Sequence, residues 1–190
     1  SWTCLACTGS FIVEYGPEGF TPGTTAAPGV GGTIASISAT SPFNLTGLPT
    51  TGITDIYVRQ DCGSSAYSSN ASVAKFIPGD VCENAIDLAT LTSPLNGTTT
   101  GANDNFTNTC AFGNTSPDLI YSIQVPNLYT LVIGQTVNGY DSENTLFYGG
   151  ACPGTTQIAC YDDPDVQSST WQNTTGSTQT VYWVQDGYFS

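Results

Sequence analysis

The sequence predicts an all-β fold made of two tandem β-sandwiches, the first immunoglobulin-like and the second jelly-roll-like. Short runs of β-branched and aromatic residues alternate with clusters of Gly, Pro, Asn and Ser about every 8–12 residues, which is typical of sandwich strands and their turns. Hydrophobic residues make up 39% of the 190-residue chain, enough to form a core. Only residues 82–91 also fit a helical turn, and both interpretations stay open there.

Six segments carry the strongest strand patterns. They cover residues 11–15 and 55–59 in the first half, and 119–125, 129–133, 145–148 and 180–184 in the second. Segment 119–125 alternates apolar and polar side chains, which is the period of a half-buried strand. We expect most aromatic side chains in these segments to fill the core rather than to contact a ligand.

Charge is distributed unevenly along the chain. The net charge is −13, and residues 1–79 contain both cations, Arg59 and Lys75, and sum to −2. Residues 80–190 contain eleven acids and no cation, and sum to −11. The change falls at Ile77-Pro78-Gly79-Asp80, a turn signal that follows an apolar strand end. We therefore expect one domain over residues 1–79 and another over residues 80–190.

The composition argues against several classes of function. Two cations cannot form the basic surface that nucleic acid binding requires. Without histidine there is no Ser-His-Asp or Cys-His unit and no His-ligated zinc. No apolar run approaches the roughly 20 residues of a transmembrane helix. Paired carboxylates would need a cleft and a spacing of about 5–10 Å to hydrolyse a glycoside, and a cysteine nucleophile would lack a base. We expect no enzyme activity.

Seven cysteines indicate an oxidising compartment, and so a secreted or cell-surface protein. A zinc ribbon would need two closely spaced cysteine pairs, and Cys4-Leu5-Ala6-Cys7 supplies one. Disulfides are the favoured interpretation, and because seven is odd, Cys62 or another cysteine is free or has its partner elsewhere. The expected pairs are Cys152–Cys160 across a hairpin, Cys82–Cys110, and Cys4–Cys7 as a tight loop.

Two motifs in the first half carry a resemblance to a known family. One is Phe43-Asn44-Leu45-Thr46-Gly47-Leu48 followed by the strand pattern at 55–59, and the other runs from Glu14 to Gly23. Together they resemble a fibronectin type III domain of the kind found in secreted Bacteroidota proteins. The resemblance covers residues 1–79 and implies a sandwich that begins at strand B, with Ser1-Trp2-Thr3 in that strand and strand A absent. Thr54 stands where the family has its corner tyrosine.

A longer series of motifs carries a second resemblance. In order, they are Cys82–Leu88, Thr99–Asp104, Cys110, Ser116–Ser122, Tyr140-Asp141, Phe147–Cys152, Ala159–Asp163 and Val181–Gly187. The series resembles the bacterial pre-peptidase C-terminal (PPC-like) sandwich of secreted and surface proteins. The resemblance covers residues 80–190 and implies a jelly roll that lacks its last strand, which would follow Asp186-Gly187.

Sandwiches that lack outer strands leave unpaired backbone groups at their edges. Two interpretations follow. Either the chain is a piece of a longer repeat array, or neighbouring subunits share strands and polymerise. The expected partners are therefore adjacent modules of the same chain or neighbouring copies of it.

Asp141, Asp162, Asp163 and Asp165 are the candidate metal ligands. A PPC-like fold would bring their loops together, and carboxylates without a basic partner repel each other unless a hard cation joins them. The cation that suits them is calcium, although the offsets of an EF-hand loop are missing. Solvated acidic loops are the alternative, and the sequence implies no other cofactor.

Trp171 is the candidate ligand-binding aromatic, because Gln172 and Asn173 follow it in a turn-like stretch. There it would stack on surface glycans, and the alternative is a Trp buried at a sheet edge. Six Asn-x-Ser/Thr sequons also occur, which a eukaryotic source would glycosylate. They begin at Asn44, Asn70, Asn96, Asn105, Asn114 and Asn173.

Two functional hypotheses result. The first is a non-catalytic structural or adhesive segment of a large bacterial surface protein or filament, acting through repeated modules. The second is an accessory region that directs a secreted hydrolase to its substrate or to carbohydrate. Fold alone does not choose between them.

Overall fold

The computed structural model describes residues 9–63, 66–108, 110 and 115–188. In these residues the chain forms twelve β-strands and two 3-10 helices of three residues each, which confirms the predicted all-β class. No helix in this part of the chain is long and apolar enough to span a membrane. The strand predicted at Ser1-Trp2-Thr3 and the Cys4–Cys7 disulfide lie outside the described residues.

The chain divides into two compact units, Ser1–Ile77 and Pro78–Ser190. The division falls inside the Ile77–Asp80 turn, two residues before the predicted start of the second domain. Gly79 within this turn has a φ of +82°, which an L-residue with a side chain rarely adopts. The glycine therefore belongs to the bend at which the second unit begins.

The first unit contains one five-stranded antiparallel sheet in the order β2-β1-β3-β4, with β5 also paired to β3. Its strands are β1 (Phe11–Pro17), β2 (Thr33–Ala39), β3 (Thr54–Gly63), β4 (Ala66–Tyr67) and β5 (Ala71–Phe76). The strands predicted at residues 11–15 and 55–59 are present, as β1 and β3. The part of this unit that the structure describes holds no second sheet, so its sandwich stays a prediction.

The two faces of this sheet are buried in different ways. One face carries an apolar cluster of Val13, Ala39 and Val58, with Phe43 packed against it. Strand geometry places Glu14, next to Val13, on the opposite face. That face is occupied by an ion pair between Glu14 and Arg59, whose side chains are both fully buried.

A loop folds over the face that carries the ion pair. Glu14 accepts hydrogen bonds from the backbone amides of Gly23 and Gly29, at 2.9 and 2.6 Å. Arg59 donates to the carbonyls of Thr25 and Ala27 in the same loop, at 2.7 and 3.0 Å. Both charges are therefore hydrogen-bonded as well as paired, which is what a buried ion pair requires.

The second unit contains a five-stranded sheet in the order β10-β9-β12-β7-β6 and a two-stranded sheet, β11-β8. All pairs are antiparallel except β6 with β7. The strands are β6 (Ile86–Asp87), β7 (Leu119–Val125), β8 (Thr130–Gly134), β9 (Ser142–Tyr148), β10 (Thr156–Tyr161), β11 (Ser168–Gln172) and β12 (Gln179–Gly187). The 3-10 helices Cys82–Asn84 and Leu88–Thr90 occupy the stretch for which a helical turn was one interpretation.

The apolar core of this unit lies around its central strands. Ile120, Leu146, Val181 and Val184 are each at most 1% exposed. On one face Trp183 donates a 3.0 Å hydrogen bond to the buried side chain of Asn144. The polar Trp nitrogen is thereby satisfied inside the core, as a buried indole requires.

Two disulfides cross-link the second unit, with pairings that differ from the predicted ones. The four predicted cysteines are used, but Cys82 pairs with Cys152 and Cys110 pairs with Cys160. The predicted hairpin disulfide Cys152–Cys160 is wrong. Cys160 lies opposite Thr145, four residues into β10, and is therefore about 13 Å along the strand from its start. Disulfide geometry requires Cα atoms within about 7 Å, and the observed pairs are at 5.7 and 5.5 Å.

Candidate metal centre

Three of the four predicted ligands come together at one end of the main sheet in the second unit. One carboxylate oxygen from each of Asp141, Asp163 and Asp165 lies within 4.8 Å of the other two. Asp141 directly precedes β9, and the other two lie in the loop that follows β10. Because β9 and β10 are antiparallel neighbours, the start of one strand meets the end of the other, and the acids converge there.

Backbone and hydroxyl groups hold this loop cluster in position. The Oδ1 atom of Asp165 accepts hydrogen bonds from the backbone amide and the hydroxyl of Ser142, at 2.6 and 2.9 Å. The backbone carbonyl of Asp141 accepts a 2.9 Å hydrogen bond from the amide of Tyr188. The loop after β10 is thereby fixed to the first residue of β9.

A buried carboxylate that the sequence did not identify lies on β9, two residues after Asp141. Glu143 on β9 is fully buried, and neither of its carboxylate oxygens has a hydrogen-bond partner among the described residues. Asp162, the fourth predicted ligand, is half-buried and has one such oxygen, Oδ1. Unpartnered buried oxygens are rare in folded proteins and call for an explanation such as a bound ion.

The position of Glu143 follows from strand register. β9 lies between β10 and β12, so its side chains are covered by neighbours on both sides. Glu143 is directly opposite Asp186 of β12, which is also fully buried. On the same face, Asn108 accepts a 2.6 Å hydrogen bond from Thr145 and donates one of 3.4 Å to Asp186. Asn108 thus satisfies part of this polar row, and the oxygens of Glu143 remain.

Electrostatics at this end of the sheet disfavour ionised carboxylates. Burial raises the pKa of Glu143, and the charges of Asp162 and Asp141 raise it further, while a polar interaction with the Asn108 side chain lowers it by a smaller amount. The pKa of Asp162 is also raised, first by burial and then by Asp163, Asp141 and Asp165. Residues 80–190 contain no Lys, Arg or His, so no side chain of this unit can neutralise the cluster.

Two features explain why the sequence does not indicate Glu143 as a candidate residue. The strand was predicted over 145–148 from its apolar residues, whereas β9 begins at Ser142. Its first residues, Ser142-Glu143-Asn144-Thr145, are all polar and yet all buried, which no apolar period can reveal. A usable signal was present: Asp141 and Glu143 are two residues apart, the spacing that places side chains on one face of a strand.

Trp171 does not lie in the predicted turn-like stretch. It belongs to β11, is half-buried, and packs against Tyr148 of β9 with ring centroids 4.9 Å apart. The contact joins the two-stranded sheet to the five-stranded one. Cys62 is exposed and is the free cysteine of the described residues.

The chemistry of the acidic cluster is that of a hard-cation ligand set. The three clustered aspartates offer only oxygen donors, which is the ligand chemistry of calcium and magnesium.

No protein-family model, curated protein or solved structure matches this chain. The resemblances to fibronectin type III and PPC-like domains therefore remain expectations drawn from the sequence motifs.

Proposed function

We propose that this chain is a non-catalytic structural or adhesive segment that works outside the cell, in a large surface protein or filament. The observation that carries the proposal is the pair of disulfides in the second unit, which link residues 70 and 50 positions apart. Structural disulfides persist in oxidising, extracellular surroundings and are rare in the cytosol. The absence of histidine from the sequence also leaves few routes to catalysis.

The disulfides fit a structural role under mechanical tension. A fully extended segment of 70 residues would span about 240 Å. While Cys82–Cys152 is intact, a force along the chain cannot extend that segment, and Cys110–Cys160 restrains an overlapping one. Most of the second unit is therefore protected from mechanical unravelling by covalent bonds.

A sheet edge that no other strand of the described residues covers supports assembly with other strands. β5 pairs with β3, and Ala71 to Lys75, five of its six residues, are exposed. An edge strand with unpaired backbone groups is a template for strand addition. We therefore include strand sharing with neighbouring copies, or with adjacent modules, in the proposal.

Imaging of native material tests this function. Antibodies against residues 80–190 should label the outside of intact cells of the source organism, and electron microscopy should show them on a filament or surface layer. Permeabilised cells provide the control for interior antigen. Labelling that requires permeabilisation would contradict the proposal.

An accessory role beside a secreted hydrolase is the second candidate. The half-buried Trp171 is the aromatic side chain that this alternative would use for glycan stacking. Its ring already packs against Tyr148, which favours a structural role for this residue. The domains that flank this chain in its full-length protein would distinguish the two candidates, since further β modules favour the first and a hydrolase domain the second.

A further inference from the structure

We propose that two copies of this chain join through strand β8 of the second unit, which pairs antiparallel with β8 of the second copy. The inference rests on the proposed function for its partner, because an array outside the cell places copies of the chain side by side. It adds to that function a particular strand and a particular register.

β8 has one edge that no other strand of the described residues covers, since its strand partner there is β11 alone. The backbone amide of Gln135, directly after β8, donates a 3.1 Å hydrogen bond to the carbonyl of Gln167, directly before β11. The register between the two strands is unbroken, so the odd-numbered residues of β8 face β11. Because backbone groups alternate sides along an antiparallel strand, those of Thr130, Val132 and Gly134 point away from β11. These groups are the ones that a further strand would bind.

β8 also lacks the features that protect edge strands from addition. Natural edges are blunted by charged residues, proline, bulges or short length. Among the described edge strands, β2, β5 and β10 pair irregularly with their neighbours, and β4 and β6 have two residues each. β8 has five residues in regular register, with neither a charge nor a proline. β11 is equally regular but polar, whereas β8 contains the β-branched Val132 and Ile133, which favour strands.

Exposed apolar side chains accompany this edge. Val132 in the middle of β8 is 64% exposed, and Leu128 and Tyr129 before the strand are 67% and 65% exposed. Val137, after the strand, is 85% exposed. In an antiparallel pair the start of one strand meets the end of the other, so Leu128 and Tyr129 of one copy would approach Val137 of the second copy. Pairing would therefore cover apolar surface as well as backbone groups.

The distribution of charge favours a second copy as the partner. None of the eleven acids of residues 80–190 lies in 119–140 or 166–185, so β8 and β11 form an uncharged sheet in a strongly acidic unit. A basic partner would be attracted to the acidic loops instead. A partner as acidic as this chain, with its net charge of −13, meets the least repulsion at an uncharged surface. A second copy of the chain is such a partner.

Twofold symmetry determines the register of the pair. Val132 is the middle one of the three residues whose backbone groups point outward, so it pairs with Val132 of the second copy across the twofold axis. Thr130 of each copy then lies opposite Gly134 of the other, and all three pairs exchange backbone hydrogen bonds. A contact of five residues per copy is small, so we expect weak association in solution that repetition in an array strengthens.

Disulfide trapping on the full chain tests this register. The variants are made in a Cys62→Ser background, which removes the exposed thiol. In the proposed pair the two Cα atoms at position 132 are about 5.5 Å apart, within the range of a disulfide. The two at position 130 are about 13 Å apart along the strands, outside that range. In glutathione buffer, Val132→Cys should give at least about fivefold more covalent dimer than its matched control Thr130→Cys.

Mass spectrometry of unreduced peptides identifies the bond. The dimer of Val132→Cys should contain a peptide linked to itself through position 132, while Cys82–Cys152 and Cys110–Cys160 stay intact. The Cys62→Ser parent should give no covalent dimer.

Sedimentation at high protein concentration tests the contact without a covalent bond. Val132→Glu would place two like charges directly opposite each other and should abolish association. Thr170→Glu puts the same charge on β11, opposite Val132 in the same sheet, and should associate like the wild type. Its two charges would be about 14 Å apart in the dimer, beyond the screening length of ~8 Å. Wild-type association should strengthen as salt screens the repulsion between copies. Thermal melts check that both variants fold.

Several results would overturn the proposal. They are equal trapping of Val132→Cys and Thr130→Cys, wild-type association in a folded Val132→Glu, or association that weakens with added salt. Bonds from Val132→Cys to another part of the chain would show a different strand at this edge and would overturn it as well. None of these results would change the labelling of cells from outside, so failure of this contact and failure of the proposed function are distinguishable.

Discussion

Glu143 and Asp186 lie directly opposite each other on strands β9 and β12, and both are fully buried. Their local surroundings nevertheless differ. Asp186 is compensated by the backbone amide of Gly187, at 2.7 Å, and by the side chain of Asn108. The Asn108 side chain also acts on Glu143 and lowers its pKa, but neither oxygen of Glu143 has a partner at hydrogen-bond distance within the described residues. Burial and the charges of Asp162 and Asp141 raise the pKa of Glu143 and disfavour its ionised form, so removal of this charge should be stabilising.

Neutralising Glu143 should stabilise the metal-free protein. In chelator at pH 7, we expect Glu143→Gln to raise the melting temperature by about 4 °C or more, the shift that ~1 kcal/mol produces in a domain of about 100 residues. Differential scanning calorimetry measures this shift. Glu83→Gln, an exposed change of the same kind, should leave the melting temperature unchanged. A lower melting temperature for Glu143→Gln in chelator would contradict the expectation.

Asp118 should make stability fall as pH rises through the weakly acidic range. Burial raises the pKa of Asp118 to about 6. Hydrogen bonds from the backbone amides of Phe106 and Asn105 oppose this rise, and the charges of Asp104 and Asp80 add to it. An unfolded Asp has a pKa of about 3.9. Between these two pKa values the folded state binds more protons than the unfolded state. The contribution of Asp118 to stability is therefore full below about pH 4 and lost by about pH 6.

The variant Asp118→Asn tests this contribution. Its side-chain oxygen still accepts from both backbone amides, and the titrating proton is gone. Urea unfolding in chelator at pH 4.5, 5.5 and 6.5 should show a shallower decline of stability with pH than in the wild type. Equal slopes for the variant and the wild type would show that Asp118 does not titrate in this range.

The strands that could be predicted are those whose own residues favour a strand. Segment 119–125 matches β7 at both ends, because its β-branched and aromatic residues fit a pleated, half-buried surface. The polar start of β9 and the Ser- and Thr-rich β11 became strands through tertiary pairing, which local propensity does not encode. The edge strand β5 lacks an apolar face, and the sequence indicated only its end, before the turn at Ile77.

The candidate site was predictable in its loops and not in its core. Asp163 and Asp165 are close in sequence and belong to one loop, so a shared role was visible from spacing. Asp141 joins them only because antiparallel pairing brings the start of β9 to the end of β10. The cysteine partners likewise depend on how the strands pair, which is why the right cysteines were predicted with the wrong connections.

The two disulfides should each contribute to stability through loop closure. Linking residues 70 and 50 apart restricts the unfolded chain by about 4 kcal/mol each in the chain-entropy estimate. We expect Cys82→Ser with Cys152→Ser to lower the unfolding free energy by about this amount. The pairings themselves are checked by mass spectrometry of unreduced peptides. Trypsin has no site in residues 80–190, so an acid-directed protease is needed. Peptides linking Cys82 to Cys110 would contradict the structure.

The two cations of the chain should differ sharply in their importance. Arg59 and Glu14 form a fully buried pair, whereas Lys75 and Glu18 are paired at the surface with about half of each side chain exposed. Removing one partner of a buried pair leaves an uncompensated charge, which costs about 3–5 kcal/mol. We expect Arg59→Met to lower the unfolding free energy by this amount, while Lys75→Met leaves the melting temperature nearly unchanged. Similar effects of the two substitutions would contradict the conclusion that the buried Arg59 holds the loop of residues 23–29 on the sheet.

Trp171 provides the test that separates packing from glycan binding. Because its ring lies 4.9 Å from that of Tyr148, we expect Trp171→Ala to destabilise the second unit by less than the ~3–5 kcal/mol of a fully buried Trp. Trp171→Phe retains an aromatic contact and should recover most of the loss. Thermal melts of the three proteins measure this order, and a glycan array run on the same samples measures binding. The accessory-region alternative requires the opposite result, with saturable glycan binding in the wild type that Trp171→Ala abolishes while the melting temperature is unchanged.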